Sequence, residues 1–555
     1  MSERILVAVA WPYANGSIHL GQAAGAYLPA DIFARYHRLM GNDVLMVSGS
    51  DSHGTPVTLA AENRGVSVEE VFNEYHSEFI DNWQRLGISF DLFTSTHTDN
   101  HFEVVQDMFL KLMDNGFIYK DSMMQPYCQG ESRFLADRYV EGVCPNCSFS
   151  QARGDQCDNC GRTLDPQDLI DMVCKICKEK PVIKETEHFF LKLSAFEERL
   201  IDWITPQNQW RSNVRNFSLG YLGGGLHDRA ITRDIEWGVP VPIEGYDDKR
   251  IYVWFEAVIG YLSASIEWSK TMGFSDRWRD FWEKDCKSYY FMGKDNIPFH
   301  TIIWPAMLMG YGNLNLPYDV PANEYLNVEG LKISTSRNWA VWLPEYLKKY
   351  EPDPLRYVLA STMPETSDSD FSWEEYVRRN NDELVATYGN LVHRVVTMSS
   401  RNFDGKVPEY GELSEVSIEL LGQASSKLAE TANNIEACRF RQALDSAMSL
   451  ARAANIYLDR EEPWKKIKVD PTTAGSILWT SLTVINCLKT VLYPFLPFSS
   501  EKLHSMLGFE GSVKDNGWSW SPELLIPGQE FRDVSPLFTK LDIDIVDQET
   551  KKIGV

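Results

Sequence analysis

Two polar segments of the sequence combine residue types that suit phosphate chemistry. The first, residues 11–22, contains His19 and Gln22, which can both donate hydrogen bonds, and Gly21, which lets a ligand approach the backbone. The second, residues 326–337, contains Lys332 as a compact cation, followed by three hydroxyl residues. Each segment could bind phosphate groups. Taken singly, the first also suits a tight turn with a structural histidine and the second a plain surface loop.

The first of these segments lies between a predicted strand and a predicted helix. Residues 4–10 form a near-continuous apolar run typical of a buried strand, and apolar residues recur at helical spacing over 20–36. A second apolar run at 44–47 completes a βαβ unit of a parallel sheet. Ligands of such sheets bind at the carboxyl ends of the strands. His19 would then stand at a helix N-terminus, where free N–H groups and the helix dipole attract phosphates.

The cysteine spacing predicts a metal site. Six of the ten cysteines form three Cys-x-x-Cys pairs between residues 144 and 177, a pattern of metal binding rather than of disulfides. Two pairs can wrap a tetrahedral ion, which predicts one structural zinc held by Cys144, Cys147, Cys157 and Cys160. The alternative is a reduced loop without metal. A second zinc would need the third pair and a Cys-x-x-Glu segment upstream: Cys174, Cys177, Cys128 and Glu131.

Composition excludes several classes of protein. The chain has 555 residues, 44% of them hydrophobic and 24% charged, so it is neither disordered nor a small disulfide-stapled module. A formal net charge of −24 excludes a basic nucleic-acid coat, though not a local basic face. The charged N-terminus is no signal peptide, and the most apolar stretch, 477–498, is interrupted by Lys489 and two prolines, as expected for a buried helix rather than a membrane span. We expect a cytoplasmic protein without membrane contact.

Both polar segments resemble signatures of class I aminoacyl-tRNA synthetases. Residues 19–22 read His-Leu-Gly-Gln where that class has His-x-Gly-His. About 310 residues later, 332–336 read Lys-Ile-Ser-Thr-Ser where the class has Lys-Met-Ser-Lys-Ser. Gln22 keeps a donor but carries no charge. Thr335 replaces a lysine that offsets charge on the triphosphate in the transition state, a contact whose loss can cost about 3 kcal/mol.

The resemblance implies the residues that act on ATP. His19 and Gln22 would hold the phosphates while Lys332 and Thr335 close over pyrophosphate, so these four are the predicted catalytic residues. We expect Lys332 and Arg337 to cover for the missing lysine, with Thr335 touching the nucleotide through its hydroxyl. Mg²⁺ would accompany the ATP. The implied ATP-binding set is Asn15, His19, Gly21, Gln22, Gly293, Asp295, Lys332, Ile333, Ser334, Thr335 and Ser336.

Residues 252–261 and 291–300 narrow the resemblance to methionyl-tRNA synthetases. The methionine side chain is an unbranched, uncharged thioether, which aromatic walls suit. Taken alone, Trp254 would be a core aromatic residue of a sheet. The resemblance implies that Tyr261 and His300 can donate to the sulfur, that Asp51 binds the ammonium, and that Arg233 pairs with this aspartate. The implied methionine-binding set is Ala10, Trp11, Asp51, Arg233, Trp254, Ala257, Tyr261, Asn296 and His300.

The resemblance extends over about residues 4–540 and implies the architecture. We predict an α/β fold in which a Rossmann-type parallel-sheet catalytic domain carries an inserted zinc-binding connective module and is followed by an all-α C-terminal bundle. Family members with two zinc knuckles exist, so a second zinc is compatible with the resemblance. The predicted domains are 1–116 and 226–322 for the two catalytic halves, 117–225 for the insertion, 323–375 for the lysine loop and stem-contact region, and 376–555 for the anticodon-binding bundle.

The C-terminal region resembles the anticodon-binding bundle of the same family. Asn390 and Arg394 are four residues apart and share a helix face, and Trp464 follows a predicted helix. An exposed indole can stack a base, while Asn and Arg can contact base edges. The alternative for Trp464 is a buried capping residue. Because no appended domain is visible, we expect a monomer.

The predicted function is a two-step ligase that activates L-methionine with ATP and transfers it to initiator and elongator tRNA(Met). Two alternatives stay open. One is another class I synthetase, such as the cysteinyl enzyme, which grips its substrate thiolate with zinc; here the zinc should instead lie in the insertion, away from Trp254. The other is a tRNA-binding paralogue that has lost activation, which Gln22 and Thr335 would suit.

Overall fold

The structure is a computed structural model that describes residues 2–135, 139–154, 157, 159–160, 162 and 164–555. At its centre lies a five-stranded parallel sheet, in the order Ala322–Asn323, Lys287–Gly293, Arg4–Val9, Asp43–Ser50, Leu92–Ser95. The strand order reverses beside the first strand, between Arg4–Val9 and Lys287–Gly293. Ligands of open α/β sheets bind at such a switch point, outside the carboxyl ends of the strands. The predicted strands at 4–10 and 44–47 are confirmed.

Helices cover both faces of this sheet. The apolar run at 251–255 suits either a strand or a helix; the strand there is limited to Arg250–Ile251, and a helix starts at Val253. A short apolar run does not distinguish a strand from the first turn of a buried helix. Here it is the first turn of a buried helix. The helices of the two catalytic halves are Leu20–Gln22, Ala23–Tyr27 (a π turn), Leu28–Leu39, Thr55–Arg64, Val68–Leu86, Asp99–Asp114, Val253–Thr271, Arg279–Trp282, Lys294–Asn296 (3₁₀), Phe299–Ile303 (π) and Trp304–Tyr311.

The insertion is an antiparallel ribbon that carries the cysteines at its far end. Ile118–Cys128 pairs with Val182–Leu191 along ten residues, and the chain between them forms a small sheet from Val140–Val143, Ala152–Arg153 and Ile170–Cys174. The remaining elements of this region are Arg133–Phe134, Pro166–Asp168, Leu193–Phe196, Glu197–Ile204, Ser212–Leu222, Arg229–Ala230 and Thr232–Arg233.

The lysine loop belongs to a second small sheet after the last central strand. Leu326–Val328 pairs antiparallel with Leu331–Lys332 and parallel with Ser369–Phe371. The predicted domain boundary at 375/376 lies inside helix Trp373–Arg379, so this region and the bundle share a continuous element. The other elements here are Thr335–Arg337 (3₁₀), Leu343–Leu347 and Pro352–Ser361.

The C-terminal region is the predicted helical bundle. Its helix Pro471–Leu492 is long and apolar enough to cross a membrane, but its apolar window is wholly buried inside the protein, so it forms the centre of the bundle. The last helix packs back against Trp373–Arg379. The helices are Asn380–Gly389 (π), Asn390–Asn402, Glu415–Glu436, Phe440–Glu461, Pro463–Lys466, Pro471–Leu492, Pro497–Met506, Val513–Asn516 (3₁₀), Pro522–Leu524 (3₁₀) and Asp544–Thr550.

Candidate active site

A cavity of about 350 Å³ opens at the switch point of the central sheet. Its walls come from the turn after the first strand, the turn after the fourth strand and the lysine loop, so the two polar segments meet at one site as predicted. Ten predicted site residues line it: Ala10, Trp11, His19, Gly21, Gln22, Gly293, Asp295, Asn296, Lys332 and Ile333. Among the described residues, the lining does not include Asn15, Ser334, Thr335 or Ser336.

His19 caps the helix that begins at Leu20 and is half-buried. Its main-chain N–H donates to Oε1 of Gln22 at 3.0 Å, which leaves the NH₂ end of the Gln22 amide as the donor for a ligand. The ring atom Nδ1 is buried and has no hydrogen-bond partner in the described part of the chain. Because burial lowers the pKa of His19 to about 4, the ring is neutral at pH 7. An unsatisfied imidazole nitrogen at a helix N-terminus suits a phosphate oxygen.

Gly21 lets the lysine loop pack on this turn. A Cβ at this position would lie 2.8 Å from Cδ1 of Ile333 and 3.0 Å from Nδ1 of His19. The segment after the loop is also joined to the turn, because the N–H of Leu20 donates to the carbonyl of Val341 at 3.0 Å. Trp342 meets the His19 ring edge-on, with centroids 6.1 Å apart. The loop is therefore attached on both sides of its hydroxyl residues.

Tyr325, which was not among the predicted site residues, positions two lysines. Nζ of Lys332 lies 4.6 Å from the centroid of its ring and Nζ of Lys294 lies 3.9 Å away. Lys294 also pairs with Glu324 at 2.7 Å and with Asp368 at 3.0 Å. The hydroxyl of Tyr325 donates to the carboxylate of Asp295, which lines the cavity. An aromatic residue directly before the lysine loop is the only sequence signal for this role.

The three hydroxyl residues of the loop do not line the cavity, and the side chains of Ser334 and Ser336 face each other. Thr335–Arg337 forms a 3₁₀ turn, and Nε of Arg337 donates to Oγ of Ser334 at 3.1 Å. The Oγ atoms of Ser334 and Ser336 are 3.3 Å apart. In this arrangement Arg337 serves the loop, and Lys332 is the cation of the loop that lines the cavity.

Trp11 occupies a slot that only glycine leaves open. A Cβ at Gly260 would lie 2.8 Å from the indole, and one at Gly49 would lie 2.4 Å from its other edge. The indole meets the ring of Tyr261 edge-on, with centroids 6.4 Å apart. The two glycines were not predicted as site residues, because their role depends on a contact between distant parts of the chain.

The donor groups of Tyr261 and His300 already form hydrogen bonds within the protein. Nδ1 of His300 lies 2.9 Å from the carbonyl oxygen of Asn296, so this nitrogen must be the donor. Burial lowers the pKa of His300 to about 4, so the ring is neutral and its Nε2 has no proton. The Tyr261 hydroxyl therefore donates a hydrogen bond to Nε2, 2.7 Å away. Donation to a methionine sulfur would have to displace these bonds. Both residues are buried, and neither is among the lining residues of the two cavities.

Asp51 is buried at the end of the second strand. Burial and the nearby carboxylate of Glu256 raise its pKa well above the usual value for aspartate. Glu256 in turn receives hydrogen bonds from His53 at 2.7 Å and from His101 at 3.2 Å. An ammonium group beside this carboxyl group would favour its charged form and lower its pKa again. Asp51 is thus suited to an ammonium group.

Trp254 and Arg233 line a second cavity of about 430 Å³, which shares Asp295 with the first. The Trp254 ring stacks on Phe299, with centroids 4.2 Å apart. Nη1 of Arg233 donates to the carbonyls of Ala230 and Thr232, so its pairing with Asp51 stays a prediction. Cys160 lies on the wall of this same cavity, so the cysteine cluster borders it more closely than expected.

The four cysteines predicted to hold zinc form a suitable cluster. Their sulfurs all lie within 4.8 Å of one another, with Cys144–Cys160 at 3.9 Å and Cys147–Cys157 at 3.6 Å. Tetrahedral Zn–S bonds of about 2.3 Å place sulfurs roughly 3.8 Å apart, so the cluster fits zinc. The amide of Asn159 and the main-chain N–H of Phe149 lower the pKa of Cys147 to about 6, which favours the thiolate that a metal needs. Four cysteine ligands leave no open position.

The second predicted site is incomplete. The sulfurs of Cys128, Cys174 and Cys177 form a group within 4.8 Å, but no carboxylate of the described residues joins it. Glu131 contacts the site only through its main-chain N–H, which donates to the sulfur of Cys128 at 3.4 Å. The turn after Cys128 directs the main chain of Glu131, rather than its carboxylate, to the sulfurs, so its role as fourth ligand stays a prediction.

Two of the three predicted anticodon residues lie together on the bundle. The guanidinium of Arg394 lies 5.4 Å from the centroid of Trp464, and Nη2 of Arg394 contacts Asp459 at 3.3 Å. Trp464 is 40% exposed, so it is not a buried cap. Asn390 is exposed one turn before Arg394 on the same helix. The patch can offer a stacking surface and polar groups to a base.

A parallel sheet whose switch point faces a histidine at a helix N-terminus and a lysine loop, with an inserted module and a helical bundle, is the arrangement of a class I aminoacyl-tRNA synthetase. Residues 5–396 match the family model described as tRNA synthetases class I (M), and residues 407–554 match that of the anticodon binding domain of methionyl tRNA ligase. The chain therefore belongs to the methionyl-tRNA synthetase family.

Individual relatives agree with this assignment. The chain is 57% identical to a methionine–tRNA ligase of Dehalococcoides mccartyi, over all of both chains. It is 50% identical to that of Thermomicrobium roseum, over 100% of this chain and 99% of the other. Among solved structures it resembles Mycobacterium tuberculosis methionyl-tRNA synthetase in complex with methionyl-adenylate, with a TM-score of 0.80 and 27% identity over 97% of this chain and 100% of that one.

Proposed function

We propose that this chain is a methionine–tRNA ligase. A carboxylate oxygen of methionine attacks the α-phosphorus of ATP, so that methionyl-adenylate forms and pyrophosphate leaves. The 3′-terminal ribose hydroxyl of tRNA then attacks the carbonyl carbon of the adenylate, and AMP leaves. The observation that carries the proposal is the single cavity lined by His19, Gln22 and Lys332 and by Trp11 of the methionine set.

The chain accelerates activation by positioning and by charge stabilisation, as in phosphoryl transfers generally. Nδ1 of His19 and the amide of Gln22 hold phosphate oxygens at the helix N-terminus. Lys332 moves from the ring of Tyr325 to the β- and γ-phosphates, and Thr335 closes with it. Mg²⁺ enters as part of the ATP complex. The remaining ATP contacts are assigned to Asn15, Gly21, Gly293, Asp295, Ile333, Ser334 and Ser336.

Methionine is held at its charged end and selected by shape at its other end. The carboxylate of Asp51 binds the ammonium, and Arg233 supports that carboxylate. Trp254, Ala257 and the Tyr261–His300 pair surround the thioether, and Ala10, Trp11 and Asn296 complete the site. Sulfur–aromatic contacts of about 0.3–1.5 kcal/mol each favour methionine over a shorter or branched side chain.

Pyrophosphate exchange with each amino acid in turn tests this function. The purified chain, ATP and labelled pyrophosphate should give exchange with methionine alone. Exchange with another amino acid would assign the chain to a different class I enzyme. The absence of exchange, together with binding of tRNA, would favour the non-catalytic paralogue.

We assign one structural zinc to Cys144, Cys147, Cys157 and Cys160, where four thiolates close the coordination shell and fold the knuckle. We also propose a second zinc ion, held by Cys128, Cys174 and Cys177. Its fourth ligand is Glu131 after a rearrangement of its side chain, or another group. Metal analysis of the purified chain would give two zinc ions if both sites fill. The Cys174→Ser variant should then hold one, and a wild-type content of one would remove the second site.

The tRNA partners are initiator and elongator tRNA(Met), whose anticodon meets Asn390, Arg394 and Trp464 on a monomeric enzyme of the cytoplasm. None of the ten cysteines, all of which lie among the described residues, forms a disulfide, which suits a reducing compartment. Replacing Trp464 by Ala should weaken charging of both tRNAs and leave methionyl-adenylate formation unchanged. An equal fall in adenylate formation would make Trp464 structural.

A further inference from the structure

The C-terminal residues 553–555 contact the end of the lysine loop. The main-chain N–H of Gly554 donates to the carbonyl of Asn338 at 2.9 Å, and Nδ2 of Asn338 donates to the main-chain oxygen of Val555 at 2.7 Å. Gly554 has φ +81°, and a Cβ there would lie 3.0 Å from the ring of Trp339. The contact therefore depends on a glycine and seats the C-terminal segment directly against the loop.

Asn338 links this segment to the His19 turn. It ends the short turn that begins at Thr335 in the left-handed region, with φ 49°. Its Oδ1 accepts a hydrogen bond from Nε1 of Trp342 at 2.7 Å, and Trp342 is the ring that meets His19 edge-on. One side chain thus bonds both the C-terminal segment and the residue packed on the phosphate-binding histidine.

The neighbour of Asn338 closes the base of the loop. The N–H of Trp339 donates to the carbonyl of Ser334 at 2.9 Å, and the N–H of Ser334 donates back at 3.0 Å. Nε1 of Trp339 donates to the carbonyl of Val328 at 2.8 Å. Holding residues 338 and 339 in place therefore fixes both ends of the 334–339 loop, one residue from Ile333 and two from Lys332.

The C-terminal segment is itself anchored on the region that leads to the bundle. Helix Asp544–Thr550 packs against helix Trp373–Arg379. The carboxylate of Glu549 accepts hydrogen bonds from the hydroxyl of Tyr350 at 3.0 Å and from Nζ of Lys349 at 3.2 Å. The segment thus connects the base of the lysine loop to the helix that continues toward Asn390 and Arg394.

We propose that Asn338, Gly554 and Val555 are positioning residues for ATP binding. They hold the 332–336 loop against the His19 turn, so that the C-terminal segment sets the affinity for ATP. Among the described residues, none of the three lines the cavity, so they act through the loop and not on the substrate. The inference rests on the proposed ligase function.

Three variants test the proposal in the full enzyme: a chain ending at Lys552, Gly554→Ala and Asn338→Gly. The last keeps the left-handed backbone and removes the side-chain bonds. The readouts are KM for ATP and for methionine in pyrophosphate exchange, and hydrogen exchange of the 331–339 amides. Because one or two hydrogen bonds are lost, KM for ATP should rise about tenfold and the loop amides should exchange faster, while KM for methionine stays within about twofold. The control is Lys551→Ala, which changes an exposed side chain of the same C-terminal stretch and removes none of these hydrogen bonds, so it should match the wild type.

Two results would overturn the proposal. One is that the variants leave KM for ATP and the exchange of the loop amides unchanged. The other is that KM rises equally for ATP and methionine as the unfolding temperature falls, which would make the contact merely structural. If the wild type gives no methionine-dependent exchange, the proposed function fails instead, and hydrogen exchange still decides whether residues 553–555 hold the loop.

Discussion

The residues proposed to bind the nucleotide and those proposed to bind methionine are built in opposite ways. On the nucleotide side, Nδ1 of His19 has no partner in the described part of the chain, and Lys332 is exposed and lies over the ring of Tyr325. On the methionine side, the hydroxyl of Tyr261 donates to Nε2 of His300, and Nδ1 of His300 donates to the carbonyl of Asn296. One side holds free donors and the other holds satisfied ones.

This difference matches the two tasks of the enzyme. Charge on the phosphates changes during the reaction, so donors that are unsatisfied in the empty site can bond most strongly in the transition state. The thioether of methionine stays uncharged throughout, so on the proposed assignment it is selected by shape rather than by charge. We therefore expect changes on the nucleotide side to act on turnover and changes on the methionine side to act on affinity.

The largest effect is expected from His19→Ala. Removing a donor that acts on developing charge should lower kcat for pyrophosphate exchange by about 10²–10³-fold, with KM for methionine within about twofold. The matched control is His227→Ala, which removes an exposed histidine that lines neither cavity. An equal loss in kcat and in methionine affinity would count against the comparison.

A smaller effect, on affinity, is expected from Gly260→Ala. The new methyl group would lie 2.8 Å from the Trp11 indole. Because overpacking costs about 1–3 kcal/mol, KM for methionine should rise roughly tenfold or more, with a smaller change in KM for ATP. Gly422→Ala, in a helix with nothing within 4 Å of the added carbon, is the control. A change confined to kcat would reverse the assignment of the two sides.

The two histidines should also titrate differently when ligands bind. Burial lowers the pKa of both His19 and His300 to about 4 in the empty protein. Phosphates next to His19 favour its charged form, so ATP should raise the pKa of His19 by about one unit or more, while methionine should not raise that of His300. NMR titration of labelled histidines, assigned with His19→Ala, measures both. Parallel shifts would remove the distinction between free and committed groups.

The smallest effect is expected from Thr335→Lys, which restores the lysine of the class signature. Thr335 is not among the cavity-lining residues, and an exposed charge contact is worth about 0.2–1 kcal/mol. The rate of adenylate formation in a single turnover should therefore rise by less than about fivefold. A larger gain would show that Lys332 does not compensate for the missing cation.

The meeting of His19 and Lys332 could be predicted because the two motifs occur in the order that the class I family has. The geometry of the parallel sheet alone predicts a ligand site only at the His19 turn. Contacts between distant backbones could not be predicted. Nothing local marks Gly49 and Gly260 as the walls of a slot for Trp11, and nothing marks Gly554 as a partner of Asn338. These contacts depend on packing between elements far apart in the chain.

The cysteines show the same division. Spacing within a knuckle is local, so the cluster that includes Cys144 and Cys157 was predictable from pairs of Cys-x-x-Cys. The position of the Glu131 carboxylate was not, because it depends on the turn after Cys128. The helix that starts at Val253 could not be predicted for a related reason, since its first residues form an apolar run compatible with either a strand or a helix.

A crystal structure with methionine and a non-hydrolysable ATP analogue tests the central claim most directly. We expect Nδ1 of His19 and Nζ of Lys332 each within about 3.2 Å of a triphosphate oxygen, with the Tyr261–His300 hydrogen bond intact beside the thioether. A bound triphosphate with Lys332 still over Tyr325 and His19 without a phosphate contact would contradict the account.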